Sequence, residues 1–251
     1  MRLLEHDPEL GQLLDAQRRE QATHELIAHV TAVEVGEWDG ARLADVDPRN
    51  LGLIVLEGVL AREVVLEEFV STELLGAGDI IRPWPLDPEP SLLPVQTRWN
   101  ALSPARLALL DQRAAAVIAR YPEINAVIVD RLIARSRRLA IEQAISQMKR
   151  VDDRMLALFW HLAERFGRVV PDGVQVPLVL SHRLVGELVG ATRPSVSTAL
   201  AELTARGELT RRDDGTWLLL GHPPAVPDVP GPELIRQRRR LTPARAQGAS
   251  G

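Results

Sequence analysis

Apolar residues recur at three-to-four-residue spacing in several stretches of the chain, and in one stretch they fall instead into short runs broken by Gly and Asp. This contrast predicts an α+β protein. Residues 8–29 (PELGQLLDAQRREQATHELIAH) read as one or two amphipathic helices. From Val30 to about Ile81 the texture changes to short runs, and Leu53–Leu60 and Ala61–Leu66, broken at Glu57 and Gly58, predict two paired antiparallel strands. Helical spacing returns over residues 104–120, with Ser103 and Pro104 as its start signal. A further helix begins at Pro122 and runs to about Met148, roughly 26 residues or roughly 39 Å at the α-helical rise. Its first half is apolar on more than one side (Ile124, Val127, Ile128, Val129, Leu132, Ile133), which suits a helix wedged between its own domain and another subunit. Asp152 and Asp153 are expected to cap the next helix, which ends at Gly167 and offers Leu156, Phe159, Trp160, Leu162 and Phe166 to a core.

The stretch 178–210 carries the densest local signals. Ser181 can cap a short helix whose Leu184, Val185, Leu188 and Val189 share one face, and Gly190 stands where the chain must reverse. Thr192 can cap a second helix, with Pro194 in its first turn and Val196, Leu200 and Leu203 as its buried stripe. Arg193, Ser195, Ser197, Thr198 and Glu202 then point outward, a polar set able to reach phosphates and base edges in a major groove. An ordinary helical hairpin with a solvated Arg193 fits the same pattern. Residues 205–220 favour the first reading: a helix end at Gly207, a strand, an Asp214-Gly215 turn and a strand over Thr216–Leu220 predict a wing after the second helix. Arg211 and Arg212 near its tip can contact phosphates, and Asp213 and Asp214 beside them fit a solvated turn as well.

The stretch LSHRLVGELVGATRPSVSTALAELTARGEL resembles the DNA-binding domain of the CRP/FNR superfamily of bacterial transcription regulators. Upstream, LEGVLAREVVL followed by LLGAGDII resembles the β-roll of the same superfamily, in the expected order. The resemblance implies an N-terminal antiparallel β-roll, a double-stranded β-helix of the cyclic-nucleotide-binding kind, over residues 1–121. It implies a dimerisation helix over 122–150 and a winged helix-turn-helix over 151–222, leaving a Pro- and Arg-containing flexible tail at 223–251. It further implies a homodimer on a two-fold symmetric operator, with double-stranded DNA and RNA polymerase as partners. The DNA-contacting residues are then Ser181, His182, Arg183, Thr192, Arg193, Ser195, Ser197, Thr198, Arg211 and Arg212. In cyclic-nucleotide-binding members an Arg grips the cyclic phosphate at a position falling here near Asp87–Glu89, whose charges repel it, and four prolines between Pro83 and Pro90 prevent a helical phosphate cradle. Where such relatives place a hydroxyl-bearing pair, the long helix has Leu139 and Ala140. Cyclic AMP is therefore not expected to bind in the usual way. Arg82, Trp84, Arg98 and Trp99 are the candidates for another effector, against the plainer reading of strand packing with solvated arginines.

Composition narrows the remaining classes. With 251 residues, 45% hydrophobic and 25% charged, the chain can hold two modest cored domains, and a net charge of −4 gives no global basic field. Between residues 181 and 221, Arg183, Arg193, Arg206, Arg211 and Arg212 are matched by Glu187, Glu202, Glu208, Asp213 and Asp214. This balance keeps open a protein-interaction or effector-sensing module whose winged helix does not read DNA specifically. No cysteine is present, so disulfides and thiolate metal sites are excluded. His161 has no second ligand at helical spacing, and His24 and His29, five apart, do not share a helical face, so neither metal nor cofactor is expected. No phosphate-binding Gly loop, G-x-S-x-G elbow or H-E-x-x-H motif occurs, which argues against an enzyme. No apolar run of signal length follows Met1 and none spans a bilayer, so a cytoplasmic protein is expected.

Overall fold

In the computed structural model, residues 1–40, 47, 49–84 and 92–224 are described. One compact unit spans Met1–Gly221, and the C-terminal unit begins at His222. Most of the tail, residues 225–251, lies outside the described residues, as does the position of the phosphate-gripping Arg at Asp87–Glu89.

The N-terminal half is a roll of two four-stranded antiparallel sheets. Its strands are β1 (His29–Val33), β2 (Gly36–Glu37), β3 (Gly52–Glu57), β4 (Leu60–Leu66), β5 (Phe69–Leu75), β6 (Ile80–Ile81), β7 (Gln96–Ala101) and β8 (Ala105–Leu110). One sheet runs β1-β8-β3-β6 and the other β2-β7-β4-β5. Strand β3 is apolar almost throughout because both of its faces are covered. Leu53 and Val55 meet the other sheet, while Ile54 and Leu56 meet the N-terminal helices and the long helix that follows the roll.

Two expectations are corrected in this half. Leu53–Leu60 and Ala61–Leu66 do not pair with each other: β3 and β4 belong to opposite sheets, and β4 pairs with β5 from Leu60↔Leu75 to Leu66↔Phe69. The chain crosses between sheets at Glu57–Gly58, as a roll requires and a hairpin does not. Residues 104–110 are not helical. Although Ala and Leu favour helix in isolation, Ala105–Leu110 is a central strand bonded to β1 on one side and β3 on the other. Helix α3 (Gln112–Ile118) therefore starts later, capped by Asp111, whose side chain accepts from the Ala114 N–H. Ser103 instead accepts the Val59 N–H at 3.0 Å.

Before the roll lie α1 (Leu3–His6), a 3-10 turn (Pro8–Gly11) and α2 (Ala16–Glu25), which Asp15 caps; His29 belongs to β1. After it, α4 (Pro122–Ser146) ends within two residues of the expected boundary. Only Ile124, Val127 and Ile145 on it are buried, whereas Val129, Leu132 and Ile133 are 51%, 45% and 61% exposed. Among the described residues no helix is long and apolar enough to cross a membrane.

The C-terminal part of the same unit begins with α5 (Val151–Phe166). Asp152 and Asp153 lie inside its first turn rather than at its cap, which is Arg150 without a side-chain hydrogen bond. Asp152 is buried and accepts from Arg150 and from Arg206, each at 2.9 Å. Met155, Leu158, Phe159 and Leu162 form the buried stripe, with Leu156, Trp160 and Phe166 at its margin. Two helices, α6 (His182–Val189) and α7 (Arg193–Ala205), pack against it, followed by β11 (Leu209–Arg211) and β12 (Trp217–Leu219). A hairpin that the sequence pattern did not reveal, β9 (Arg168–Val170) and β10 (Gly173–Val176), extends the wing to a sheet ordered β11-β12-β10-β9. The rings of Phe159 and the fully buried Trp217, 4.5 Å apart, join this sheet to α5.

Candidate nucleic-acid interface

The helix pair forms where its caps dictate. Ser181 accepts the Leu184 N–H at the start of α6, and Thr192 accepts the Ser195 N–H at the start of α7, with Pro194 in its first turn. Between them Gly190 adopts φ 66°, ψ 46°, a left-handed conformation that costs other residues strain. Gly186 is needed for a different reason: a Cβ there would stand 2.5 Å from the Ala191 carbonyl oxygen. From α5, Arg154 donates to the Val189 and Gly190 carbonyls at 3.3 and 3.0 Å, satisfying acceptors at the C-terminus of α6. Sequence reasoning missed this arginine because its partners lie on another element.

The packed face of α7 is Val196, Ala199 and Leu203, with Leu200 half-buried, so Ala199 replaces Leu200 in the expected stripe. The opposite face leaves Arg193, Pro194, Ser197, Thr198, Ala201 and Glu202 exposed. Among the described residues the Arg193 guanidinium has neither a hydrogen bond nor an ion pair. Its neighbours are tied down. Ser197 donates to the Arg193 carbonyl, Thr198 donates to the Pro194 carbonyl, and His182 Nδ1 lies 2.9 Å from Ser197 Oγ, joining the starts of both helices. Ser195 and Thr192 share a hydrogen bond at 2.9 Å. At the wing, the Arg211 guanidinium lies 5.8 Å from the Trp217 ring centre, and Arg212 is exposed in the turn. Asp214 closes that turn by accepting from the Thr216 hydroxyl and N–H, bonds that hold its carboxyl below the ordinary range. Arg183 differs from the rest, for its guanidinium is 2.8 Å from Glu187 and 3.6 Å from Glu63 on the roll.

The effector candidates separate. Trp84 and Trp99 are buried together in the core of the roll, Trp99 meeting Trp38 edge-on at 5.9 Å. Arg82 donates to the Asn50 carbonyl. Arg98 is on the opposite face of β7 from Trp99, its Nε 3.8 Å from Glu63. Between the sheets Glu73 accepts a two-pronged contact from Arg135 of α4 at 2.7 and 2.8 Å and a third contact from Arg62 at 2.8 Å. Among the described residues no cluster of His, Asp or Glu side chains could hold a metal ion. His161 lies 3.7 Å from Glu164, and burial pushes its pKa down.

The family of Crp-like helix-turn-helix domains matches residues 153–221. The chain is also similar in fold to solved structures: a CooA mutant from Carboxydothermus hydrogenoformans (TM-score 0.61, 20% identity, 77% of this chain and 84% of that one) and FixK2 from Bradyrhizobium japonicum (0.55, 19%, 88% and 100%). Residues 153–221 form a Crp-like helix-turn-helix domain. At that level of identity the two structures establish the fold of this chain, and the domain match establishes its helix-turn-helix. Among curated proteins it is similar to the global nitrogen regulator of Synechocystis sp., 31% identical over 85 residues, which is 33% of this chain and 37% of that one. The alignments with such relatives span little more than a third of their length.

Proposed function

We propose that this protein is a homodimeric, sequence-specific transcription regulator that reads a two-fold symmetric operator and does so without cyclic AMP. One observation carries the reading: the exposed N-terminal half of α7 offers an unpartnered Arg193 beside Ser197 and Thr198, within a Crp-like helix-turn-helix domain. In it Arg193 contacts a base, through guanine O6 and N7, while Ser181, His182, Arg183, Thr192, Ser195, Arg211 and Arg212 position the backbone. The exposed apolar face of α4 supports dimerisation through the segment 122–150. Two features support independence from cyclic AMP: Trp84 and Trp99 pack the roll, and Glu73 lies between Arg62 and Arg135. RNA polymerase as partner, a cytoplasmic location and a non-enzymatic role follow from the same reading.

Selection of bound sequences from random duplex DNA, with and without cyclic AMP or cyclic di-GMP, tests it. The expected result is an inverted repeat with half-sites about one helical turn apart, unchanged by either nucleotide. Absence of enrichment under every condition would overturn it and favour a winged helix turned to protein partners, which the balanced charges of residues 181–221 also fit.

A further inference from the structure

The face of the roll against which α6 packs carries an ordered polar row. Arg98 on β7, Glu63 on β4 and Thr72 on β5 are direct cross-strand neighbours, so their side chains stand side by side on one face. Helix α6 lays Arg183 and Glu187, one turn apart, across this row. Arg183 contacts both carboxylates, Glu187 at 2.8 Å and Glu63 at 3.6 Å, while Thr72 donates to the other oxygen of Glu187 at 3.1 Å. Next along the same face, Ala61 and Leu74 join the apolar cluster containing Leu184, Val185 and Leu188 of α6. Polar and apolar contacts thus dock the first helix of the DNA-binding pair onto the roll.

The charges in this contact are unequally placed. The Glu63 and Glu187 side chains are 8% and 11% exposed, whereas Arg183 is 62% exposed and free to turn outward. Burial raises the Glu187 pKa, and the Glu63 charge adds to the rise. If Arg183 left, the remaining cation beside both carboxylates among the described residues would be Arg98, 3.8 Å from Glu63, with Thr72 still bonded to Glu187, and two poorly compensated carboxylates would face each other across a packed interface. Arg183 is also the second residue of α6, at the end of that helix that holds the proposed backbone contacts Ser181 and His182.

We propose that Arg183 is shared between two mutually exclusive contacts, one with Glu63 and Glu187 on the roll and one with a DNA phosphate, so that undocking of α6 and binding of duplex DNA drive each other. The inference rests on the DNA-binding reading above. Because a coupling between contacts is reciprocal, whatever loosens the roll face at Glu63 strengthens binding to DNA, and DNA loosens that face in return.

The test uses the full-length protein and a random-sequence duplex, titrated over a range of salt. Glu63→Gln, which keeps shape but removes the competing charge, is expected to tighten binding about fivefold, at the lower end of the usual range for coupled sites. Arg183→Ala is expected to weaken binding and to lower the salt slope by about one. In the double variant the gain from Glu63→Gln should vanish. A second readout needs no substitution: saturating duplex should speed amide exchange at Thr72–Leu75 in the wild-type protein. Unchanged affinity in Glu63→Gln, a gain that persists without Arg183, or unchanged exchange in β5 overturns the proposal while leaving the regulator reading intact. If neither the wild type nor Glu63→Gln binds any duplex, the DNA-binding reading itself fails and the shared contact with it.

Discussion

Arg165, near the end of α5, places its guanidinium 2.6 Å from the carboxylate of Asp79, in the Gly76–Asp79 turn of the roll. The same carboxylate pairs with Arg138 of α4 and accepts the Gly76 N–H at 2.9 Å, while Arg165 also donates to the Ala77 carbonyl. One buried acid therefore joins the roll, the long helix and the first helix of the winged domain. Removing it strands two partly buried cations, and losing one partner of a buried pair costs about 3–5 kcal/mol. Asp79→Ala should lower the urea midpoint accordingly, and adding Arg165→Met should recover part of the loss. A variant as stable as the wild type would show that the junction is held by apolar contacts alone.

Glu142 of α4 approaches the same junction. Burial first, and then the nearby Glu73 and Asp79 charges, push its pKa up from 4.5 to about 7 against the opposing pull of Arg138 and Arg165. A carboxyl that holds its proton longer when folded adds stability that is fully present below its unfolded value and is lost as pH rises through the folded one. Stability should thus decline between about pH 4.5 and about pH 7 through this group. Glu142→Gln should be more stable than the wild type at pH 8, with the difference closing toward pH 4. Parallel stability profiles for the two proteins would exclude this role.

Asp152 has the opposite sign. Hydrogen bonds from Arg150, foremost, and Arg206 hold its carboxyl well below the ordinary range despite its burial. Its contribution is present above the unfolded value of about 3.8 and is lost as pH falls below it. Asp152→Asn should be less stable than the wild type at pH 7, and the deficit should shrink in acid. A constant deficit from pH 7 to pH 3 would trace the effect to packing instead.

How much was legible depended on how local the determinants are. The Ser181 and Thr192 caps, the Gly190 reversal and Pro194 act within a few residues of themselves, so the helix pair could be read directly. Ala105–Leu110 could not, because its strand form is imposed by two neighbouring strands against its own helical preference. The separation of β3 from β4 was hidden for a similar reason: alternation reveals strands and not which sheet each joins. Short strands such as Arg168–Val170 carry too few residues for a period. The docking of α6 on the roll joins Thr72 to Glu187 across 115 positions, and no local pattern marks it.

The α4 face also bears on assembly. Val129, Leu132 and Ile133 expose large apolar side chains beside Arg131 and Arg135, whose own charges turn inward to Asp7 and Glu73. Ile133→Glu would place a charge on this face without touching the chain's own core. Its melting behaviour as a monomer should be unaffected, while dissociation of the proposed dimer, measured by sedimentation, should strengthen by tenfold or more, on the order of 1.4 kcal/mol. An unchanged association constant, or a wild type that does not associate, would exclude this face as a subunit contact.

Arg193 offers the sharpest test of DNA reading. Its neighbours Ser197 and Thr198 spend their hydroxyl hydrogens on α7 carbonyls, which leaves their oxygens as acceptors and Arg193 as the strongest donor on the exposed face. A guanidinium that makes a two-pronged contact to guanine discriminates by about 1–3 kcal/mol, whereas one that touches only a phosphate weakens all sequences alike. Arg193→Ala should therefore reduce affinity for the selected operator by roughly 1–3 kcal/mol and for random duplex much less, narrowing the ratio between them. Arg193→Lys, which keeps the charge but not the planar fork, should recover nonspecific binding and not that ratio. Equal losses on both duplexes in Arg193→Ala would assign the residue to the backbone and move base reading to another position on the same helix.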